Sequence, residues 1–190
     1  MNAQLVLMEK KFKLICEEVK KGDIEKAKNK LAVMSNELFQ KLQSLSIENQ
    51  ISGDTTYGDT FSLLGRVSQI KGHCLFLCGD YKKAIIEYRD AIQIFVLIRN
   101  KNSVFNGLRY LGSCDISVMN PEYLNKHKKS LIGQYDADSL LLGDLETYGR
   151  LLAIGYNVIL HVIPKEQLDP VLHPLFLQMA GPYIDEYKYL

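Results

Sequence analysis

Apolar residues recur every three or four positions along much of the chain, which is the period of an α-helix. One such face lies before Gly79 and consists of Leu63, Leu64, Val67, Ile70, Cys74, Leu75 and Cys78. A second face follows it and consists of Ala84, Ile85, Tyr88, Ala91, Ile92 and Phe95. The pattern therefore predicts two helices that are separated by a short turn.

The turn between these helices reads Gly79-Asp80-Tyr81. Glycine adopts the left-handed conformation that ends many helices, and an aspartate accepts hydrogen bonds from the free N–H groups of the next one. Similar triplets occur at Gly22-Asp23-Ile24 and at Gly143-Asp144-Leu145. The sequence therefore predicts three antiparallel helix hairpins.

Together, the turns and the prolines predict an all-α chain of seven or eight helices, without a sheet, in a single domain that covers residues 1–190. The expected elements are hairpins at about 3–45, 57–98 and 121–163, and a short C-terminal helix at 171–179. Asn120-Pro121 predicts the start of the third hairpin, because proline is favoured at the first position of a helix.

Two connecting segments are expected to contain loops. Residues 46–59 are polar and contain glycine, which predicts a loop. Residues 100–119 contain Gly107 and Gly112, and we expect a short helix and a loop there.

The packing of the second hairpin is expected to depend on small and aromatic residues, namely Gly72, Gly79, Tyr81, Ala84, Tyr88 and Ala91. Their spacing resembles the tetratricopeptide repeat (TPR), a helix hairpin of about 34 residues. The resemblance covers roughly Gly65 to Ile94, although Leu75 stands where a tyrosine is common in the family. It implies an array of antiparallel hairpins, a TPR-like α-solenoid.

In TPR proteins the first helices of the hairpins line a concave groove that binds partners. The resemblance therefore implies a partner-binding groove formed by Arg66, Gln69, His73 and Phe76, with Glu9, Phe12, Cys16 and Lys20 from the first hairpin. The chaperone-binding class needs lysine and asparagine where this chain has Phe12 and Cys16. We therefore do not expect that activity.

A second, more specific likeness covers about 60 residues. The segment LAVMSNELF, followed by a loop and GHCLFLCGDYKKAIIEYRDAIQ, looks somewhat like the N-terminal part of a TPR subunit of the anaphase-promoting complex. This likeness would imply a scaffold subunit of a ubiquitin ligase.

Composition argues against several classes of partner. The net charge is +1, and the dense basic run Lys126 to Lys129 lacks interleaved aromatic residues, so nucleic-acid binding is not expected. The most apolar run, Leu151 to Ile163, is too short to span a bilayer as a helix. The four cysteines do not form a disulfide framework. We therefore expect a protein of the cytoplasm or nucleus that has no membrane partner.

No residue set predicts a reaction. His73, Cys74 and Cys78 are close in sequence, but zinc needs four ligands and the chain has no CxxC pair. Cys16 and Cys114 lack a local signature of a nucleophile, and the chain has no phosphate-binding glycine loop. We therefore expect no metal, no cofactor and no catalytic residue.

The sequence accordingly favours a non-catalytic protein–protein interaction scaffold or adaptor, as a subunit of a multiprotein complex. One alternative is a TPR subunit of a ubiquitin ligase such as the anaphase-promoting complex. Another is a helical enzyme whose site is assembled from dispersed residues. The expected partners are other proteins, and a homodimer is possible because the ends of a repeat array are apolar unless capped.

Overall fold

The computed structural model describes residues 3–48, 56–119 and 145–188. In these ranges the chain forms eight α-helices and no strand, which confirms the predicted all-α class. The helices are α1 (Ala3–Lys21), α2 (Ile24–Glu48), α3 (Thr56–Leu77), α4 (Tyr81–Leu97), α5 (Lys101–Met119), α6 (Leu145–Ile159), α7 (Lys165–Leu168) and α8 (Leu175–Ala180). The predicted helix from residue 121 and the predicted turn at Gly143-Asp144 lie outside the described residues.

Each long helix packs mainly against its neighbours in the chain. The extensive contacts join α2 to α3, α3 to α4, α4 to α5, and α5 to α6. Helix α1 lies against α2 and touches α3 less extensively, while α6 also contacts α8. The first described helix is therefore the least covered of the long helices.

Three connections share one turn geometry. Gly22 and Gly79 have φ of 90° and 81°, and each precedes an aspartate, as the sequence predicts. In the third turn Arg99 takes the glycine position with φ of 55°, and Asn100 takes the aspartate position. In all three turns the residue after the left-handed one donates its N–H to a carbonyl five residues back, which is the Schellman pattern.

The helix that follows each turn also begins in a similar way. The Asp80 carboxylate accepts the N–H of Lys83 at 3.4 Å, which confirms its predicted role as a cap. The Asn100 side chain accepts the N–H of Ser103 at 3.1 Å. The turn before α5 therefore uses the same hydrogen bonds as the turn before α4, without a glycine-aspartate pair.

The prediction of a short helix and a loop within residues 100–119 is wrong, because α5 runs from Lys101 to Met119 without a break. Its two glycines do not interrupt the helix but lie where other helices approach closely. A Cβ on Gly107 would lie 2.6 Å from a side-chain atom of Ile92. A Cβ on Gly112 would overlap the backbone carbonyl of Leu151 in α6.

Two other boundaries also differ from the predictions. Both ends of the predicted loop 46–59 are helical, because α2 continues to Glu48 and α3 begins at Thr56; the residues between lie outside the described part. The predicted helix at 171–179 is wrong as one element. Pro174 stands immediately before α8, and a proline inside a helix would remove a backbone donor and clash with the preceding turn.

The apolar side chains form two clusters. The N-terminal core joins α1, α2 and one side of α3 and contains residues such as Leu5, Phe12, Leu31, Leu38 and Val67. The C-terminal core joins the end of α3 to α4, α5, α6 and the tail and contains residues such as Tyr88, Phe95, Phe105, Leu152 and Phe176. The two clusters meet across α3, which contributes to both.

Candidate functional site

The predicted groove residues of α1 and α3 lie mostly at a contact between these helices. Phe12 is buried, and the guanidinium of Arg66 lies over its ring at 5.3 Å. Arg66 also forms an ion pair with Glu9. These three residues therefore attach α1 to α3, and only Arg66 and Glu9 keep part of their surface exposed.

The other predicted groove residues are divided between interior and surface. His73 and Phe76 are buried, so their side chains have little surface with which to contact a partner. Gln69 is half-buried. Lys20 is exposed and pairs with Glu17 at 2.8 Å on the same helix. The structure therefore does not bring these residues together in one open groove, because the α3 face predicted to be open is partly covered by neighbouring helices.

The predicted packing residues of the second hairpin lie at the contact between α3 and α4. A Cβ on Gly72 would lie 2.8 Å from the Tyr88 ring, so the tyrosine occupies the space that the glycine leaves. Ala84 and Ala91 are fully buried, and Tyr81 meets Phe76 edge to face with the ring centres 5.3 Å apart. Gly79 forms the turn between the two helices.

A buried polar cluster links four helices in the C-terminal core. The Nδ1 atom of His73 and the hydroxyl of Tyr88 lie 2.6 Å apart, and the Tyr110 ring lies 4.3 Å from the His73 ring. The guanidinium of Arg109 stacks on Tyr110 at 4.4 Å and donates a hydrogen bond to Tyr148. The cluster therefore connects α3, α4, α5 and α6.

Burial determines the charge state of this cluster. Removal from water lowers the pKa of His73 to about 3, and the positive charge of Arg109 contributes to the lowering, so the imidazole is neutral at physiological pH. Burial also raises the pKa of the Tyr110 hydroxyl. His73, Tyr88, Arg109 and Tyr110 are all buried, so the cluster holds the helices in register and offers no open face to a substrate.

The cysteines lack the environment of a reactive thiol. All four are free, and burial raises the pKa of Cys74 to about 12. Burial also raises the pKa of Cys16, Cys114 and Cys78, and a carboxylate oxygen of Glu25, 3.4 Å from the Cys78 sulfur, raises the Cys78 pKa further. A nucleophilic thiol needs a lowered pKa instead. Among the described residues no group of three or more potential ligands could hold a metal ion.

An open groove lies on the first hairpin, along the outer side of α1 and α2. We call it the outer groove, and its first depression, about 440 Å³, is lined by Lys11, Leu14, Ile15, Asn29, Lys30, Val33, Met34 and Glu37. A second depression of about 380 Å³ continues it and is lined by Gln4, Leu7, Met8, Lys11, Glu37, Gln40 and Lys41. Lys11 and Glu37 line both depressions.

The outer groove contains strongly exposed apolar side chains. Leu14, Val33 and Leu7 are 69%, 59% and 55% exposed. A single exposed leucine is ordinary on a protein surface, but apolar side chains that converge on one concave groove are typical of an interaction site. The outer groove is therefore an open surface of the described chain that is suited to bind another molecule.

The sequence contains a signal for this groove that the predictions did not use. The buried face of α1 consists of Leu5, Met8, Phe12, Ile15 and Val19. Leu7 and Leu14 are also seven residues apart, so they lie on a common face of α1, but outside the buried one. Packing within the hairpin buries only one of the two apolar faces of such a helix. The second face remains available to contact another molecule.

The described residues form an all-α fold in which each long helix packs against the next described one, and the first hairpin has an apolar groove that no other described helix covers. No protein-family model matches the chain, and searches of curated proteins and of solved structures found no similar protein. The described residues contain no helix with an apolar stretch long enough to cross a membrane.

Proposed function

We propose that this chain is a non-catalytic protein–protein interaction scaffold or adaptor that acts as a subunit of a multiprotein complex. The observation that carries the proposal is the outer groove, where Leu7, Leu14 and Val33 are more than half exposed along a concave surface between two helices. Interfaces between proteins commonly have an apolar centre and a polar rim. Here the exposed polar residues Asn29, Lys30 and Gln40, each of which lines only one of the two depressions, supply such a rim.

The arrangement of the helices supports a TPR-like solenoid as the proposed architecture. Two hairpins, α1 with α2 and α3 with α4, follow each other with a similar glycine-aspartate turn inside each. In helical repeat proteins each unit contacts its neighbours and the end units carry apolar faces that need a cap. The contacts of α2 with α3 join the first hairpin to the second, as neighbouring repeats are joined.

The proposed location is the cytoplasm or the nucleus. Its support is that all four cysteines are free, which is typical of proteins in reducing compartments.

The test is affinity capture of the tagged chain from its own cells, followed by chemical cross-linking and mass spectrometry. We expect a stoichiometric partner that is cross-linked to Lys11 or Lys30 at the groove. The double variant Leu14→Asp/Val33→Asp should lose this partner, because two charges in the apolar centre could not be desolvated. Ile86→Asp is the matched control, since Ile86 is 56% exposed on α4, away from the groove.

The proposal is contradicted if the wild-type chain captures no protein, or if the groove variant and the control capture the same partners in the same amounts. Circular dichroism of each variant shows whether the helices remain folded, so a loss of capture by an unfolded variant would not be counted as support.

A further inference from the structure

Two opposite charges that line the outer groove have no partner among the described residues. Lys11 of α1 and Glu37 of α2 both line its two depressions, so they lie near its middle. Neither forms a hydrogen bond or an ion pair with any part of the chain that the structure describes. The neighbouring lysines differ, because Lys30 pairs with Glu18 and Lys41 donates to Gln4.

We propose that the outer groove binds a second copy of this chain, so that the first hairpins of two protomers form a symmetric dimer. The inference rests on the proposed function, since it names the partner of the same groove. In a two-fold dimer the same patch is used twice, and residue i of one protomer meets residue j of the other while j meets i. Lys11 of each protomer would then meet Glu37 of its partner.

The sign and position of the two charges favour this occupant. A symmetric dimer brings each groove residue close to its own copy or to a residue across the two-fold axis. A groove with charges of one sign would repel itself, whereas one lysine and one glutamate near the middle provide two reciprocal ion pairs. The exposed Leu7, Leu14 and Val33 would cover one another around these pairs and remove their apolar surface from water.

The size of the surface predicts a weak dimer. Helix α1 has 19 residues and is therefore about 28 Å long, and two packed helices present a face about 18 Å wide. The available face is about 500 Å² per protomer, below the roughly 800 Å² of a standard stable interface. We therefore expect dissociation in the micromolar range and a dimer that is sensitive to the loss of one contact.

The experiment is analytical ultracentrifugation of the purified full chain over a series of concentrations across the micromolar range. The wild-type chain should shift from monomer to dimer as its concentration rises. Lys11→Glu and Glu37→Lys should each raise the dissociation constant about tenfold or more, because each places like charges opposite one another in the dimer.

The decisive measurement is the association of a mixture of the two single variants. The Lys11→Glu protomer carries glutamate at both groove positions, and the Glu37→Lys protomer carries lysine at both. In a mixed dimer every glutamate of one protomer would therefore face a lysine of the other, so both ion pairs would be restored. An equimolar mixture should associate about as tightly as the wild type. An effect within a single protomer would not be rescued by mixing, since each chain would still carry its own two like charges.

Lys13→Glu is the matched control, because Lys13 is exposed on α1 but does not line the groove. It should leave the dissociation constant within about twofold of the wild type, because two residues along a helix place its charge on nearly the opposite side of α1 from Lys11. A second variant, Leu14→Asn, tests the apolar part of the interface and should weaken the dimer without changing any charge. Circular dichroism verifies that each variant remains helical.

The proposal is overturned if the wild-type chain stays monomeric throughout the series, or if it dimerises with an affinity that the charge reversals leave unchanged. It is also overturned if both reversals weaken the dimer and mixing does not rescue it. A monomeric chain that still captures another protein through the groove would leave the scaffold function intact. A chain that neither dimerises nor captures a protein would contradict both.

Discussion

The N-terminal and C-terminal cores are held together in different ways. In the N-terminal core, helices α1 and α2 meet through side chains such as Leu5, Phe12, Leu31 and Leu38. In the C-terminal core, α5 and α6 approach so closely that a Cβ on Gly112 or Gly155 would overlap a backbone carbonyl of the facing helix. The same region also contains the buried polar cluster of His73, Tyr88, Arg109, Tyr110 and Tyr148.

This difference indicates a division of roles within one chain. Backbone contacts at glycine and buried hydrogen bonds tolerate few changes in helix arrangement, so we expect the C-terminal core to be the more rigid of the two. Side-chain packing is more tolerant of change in volume. The hairpin with the simpler packing also has the open groove, so the surface proposed to bind lies beside α1, which has the least extensive contacts of the long described helices.

The largest expected effect is at the contact between α5 and α6. Gly155→Ala should destabilise the fold by about 3 kcal/mol, because its added methyl group meets the backbone at Leu108, which cannot move aside as a side chain would. Gly58→Ala is the matched control in α3, where nothing lies within 4 Å of the added Cβ, and it should be neutral or slightly stabilising. Urea denaturation of both variants measures the difference, and equal losses would contradict the proposed rigidity of the C-terminal core.

The next effect is a dependence of stability on pH through His73. Its pKa is about 3 in the folded chain and 6.5 in its ordinary state, so only the unfolded chain gains the proton between these values. The stability that depends on a neutral His73 is complete above pH 6.5 and is lost as the pH falls toward 3. Between pH 7 and pH 5 this group alone should reduce the free energy of unfolding by about 2 kcal/mol.

Urea denaturation of the wild type and His73→Gln at both pH values isolates this contribution. The variant should be less stable at pH 7 but should lose less stability on acidification. His161→Gln is the control, because His161 is exposed in the turn after α6. Parallel pH profiles for the wild type and His73→Gln would show that the buried cluster does not depend on a neutral imidazole.

A smaller effect is expected at the two turns that flank α4, which share one geometry but place different residues at the position of positive φ. Gly79→Ala should destabilise the fold by about 1 kcal/mol, because the alanine would adopt a positive φ although nothing else lies near the added atom. Arg99→Gly should stabilise the fold by about 0.5 kcal/mol. Glycine removes the strain energy of the positive φ, and this gain exceeds the entropic cost of a more flexible unfolded chain. Thermal and urea unfolding measure both, and a loss of stability in Arg99→Gly would mean that contacts of the arginine outweigh its backbone strain.

The smallest effect is expected where α1 meets α3. Arg66→Gln removes the ion pair with Glu9 and the contact with the Phe12 ring, but both charged side chains are partly exposed and screened by water. The loss should be about 0.5 kcal/mol and should decrease at high salt. A loss well above 1 kcal/mol, independent of salt, would show that this contact is a main attachment of α1 and would weaken the contrast between the two cores.

The helices and their turns could be predicted from the sequence because their causes are local. The period of apolar residues places α2, α3 and α4 within a few residues of their observed bounds, and Asp80 caps α4 as expected. The turn at Arg99 could not be predicted in this way, since no glycine-aspartate pair stands there. Arg99 adopts the same positive-φ backbone conformation as the two glycines because the contacts on both sides of the turn outweigh its preference for negative φ.

The sequence by itself determined that this chain is all-α and contains helical hairpins, because those properties depend on neighbours within one or two helical turns. Only the tertiary structure decided which residues would be open. From the sequence alone, Gly107 and Gly112 indicate breaks in a helix. In the fold they lie inside α5, where a facing helix occupies the space that a side chain would fill. His73 and Phe76 match the positions of groove residues in the sequence, but α4 and α5 cover them in the fold. Leu14 and Val33 are exposed because no described helix packs on the outer side of the first hairpin.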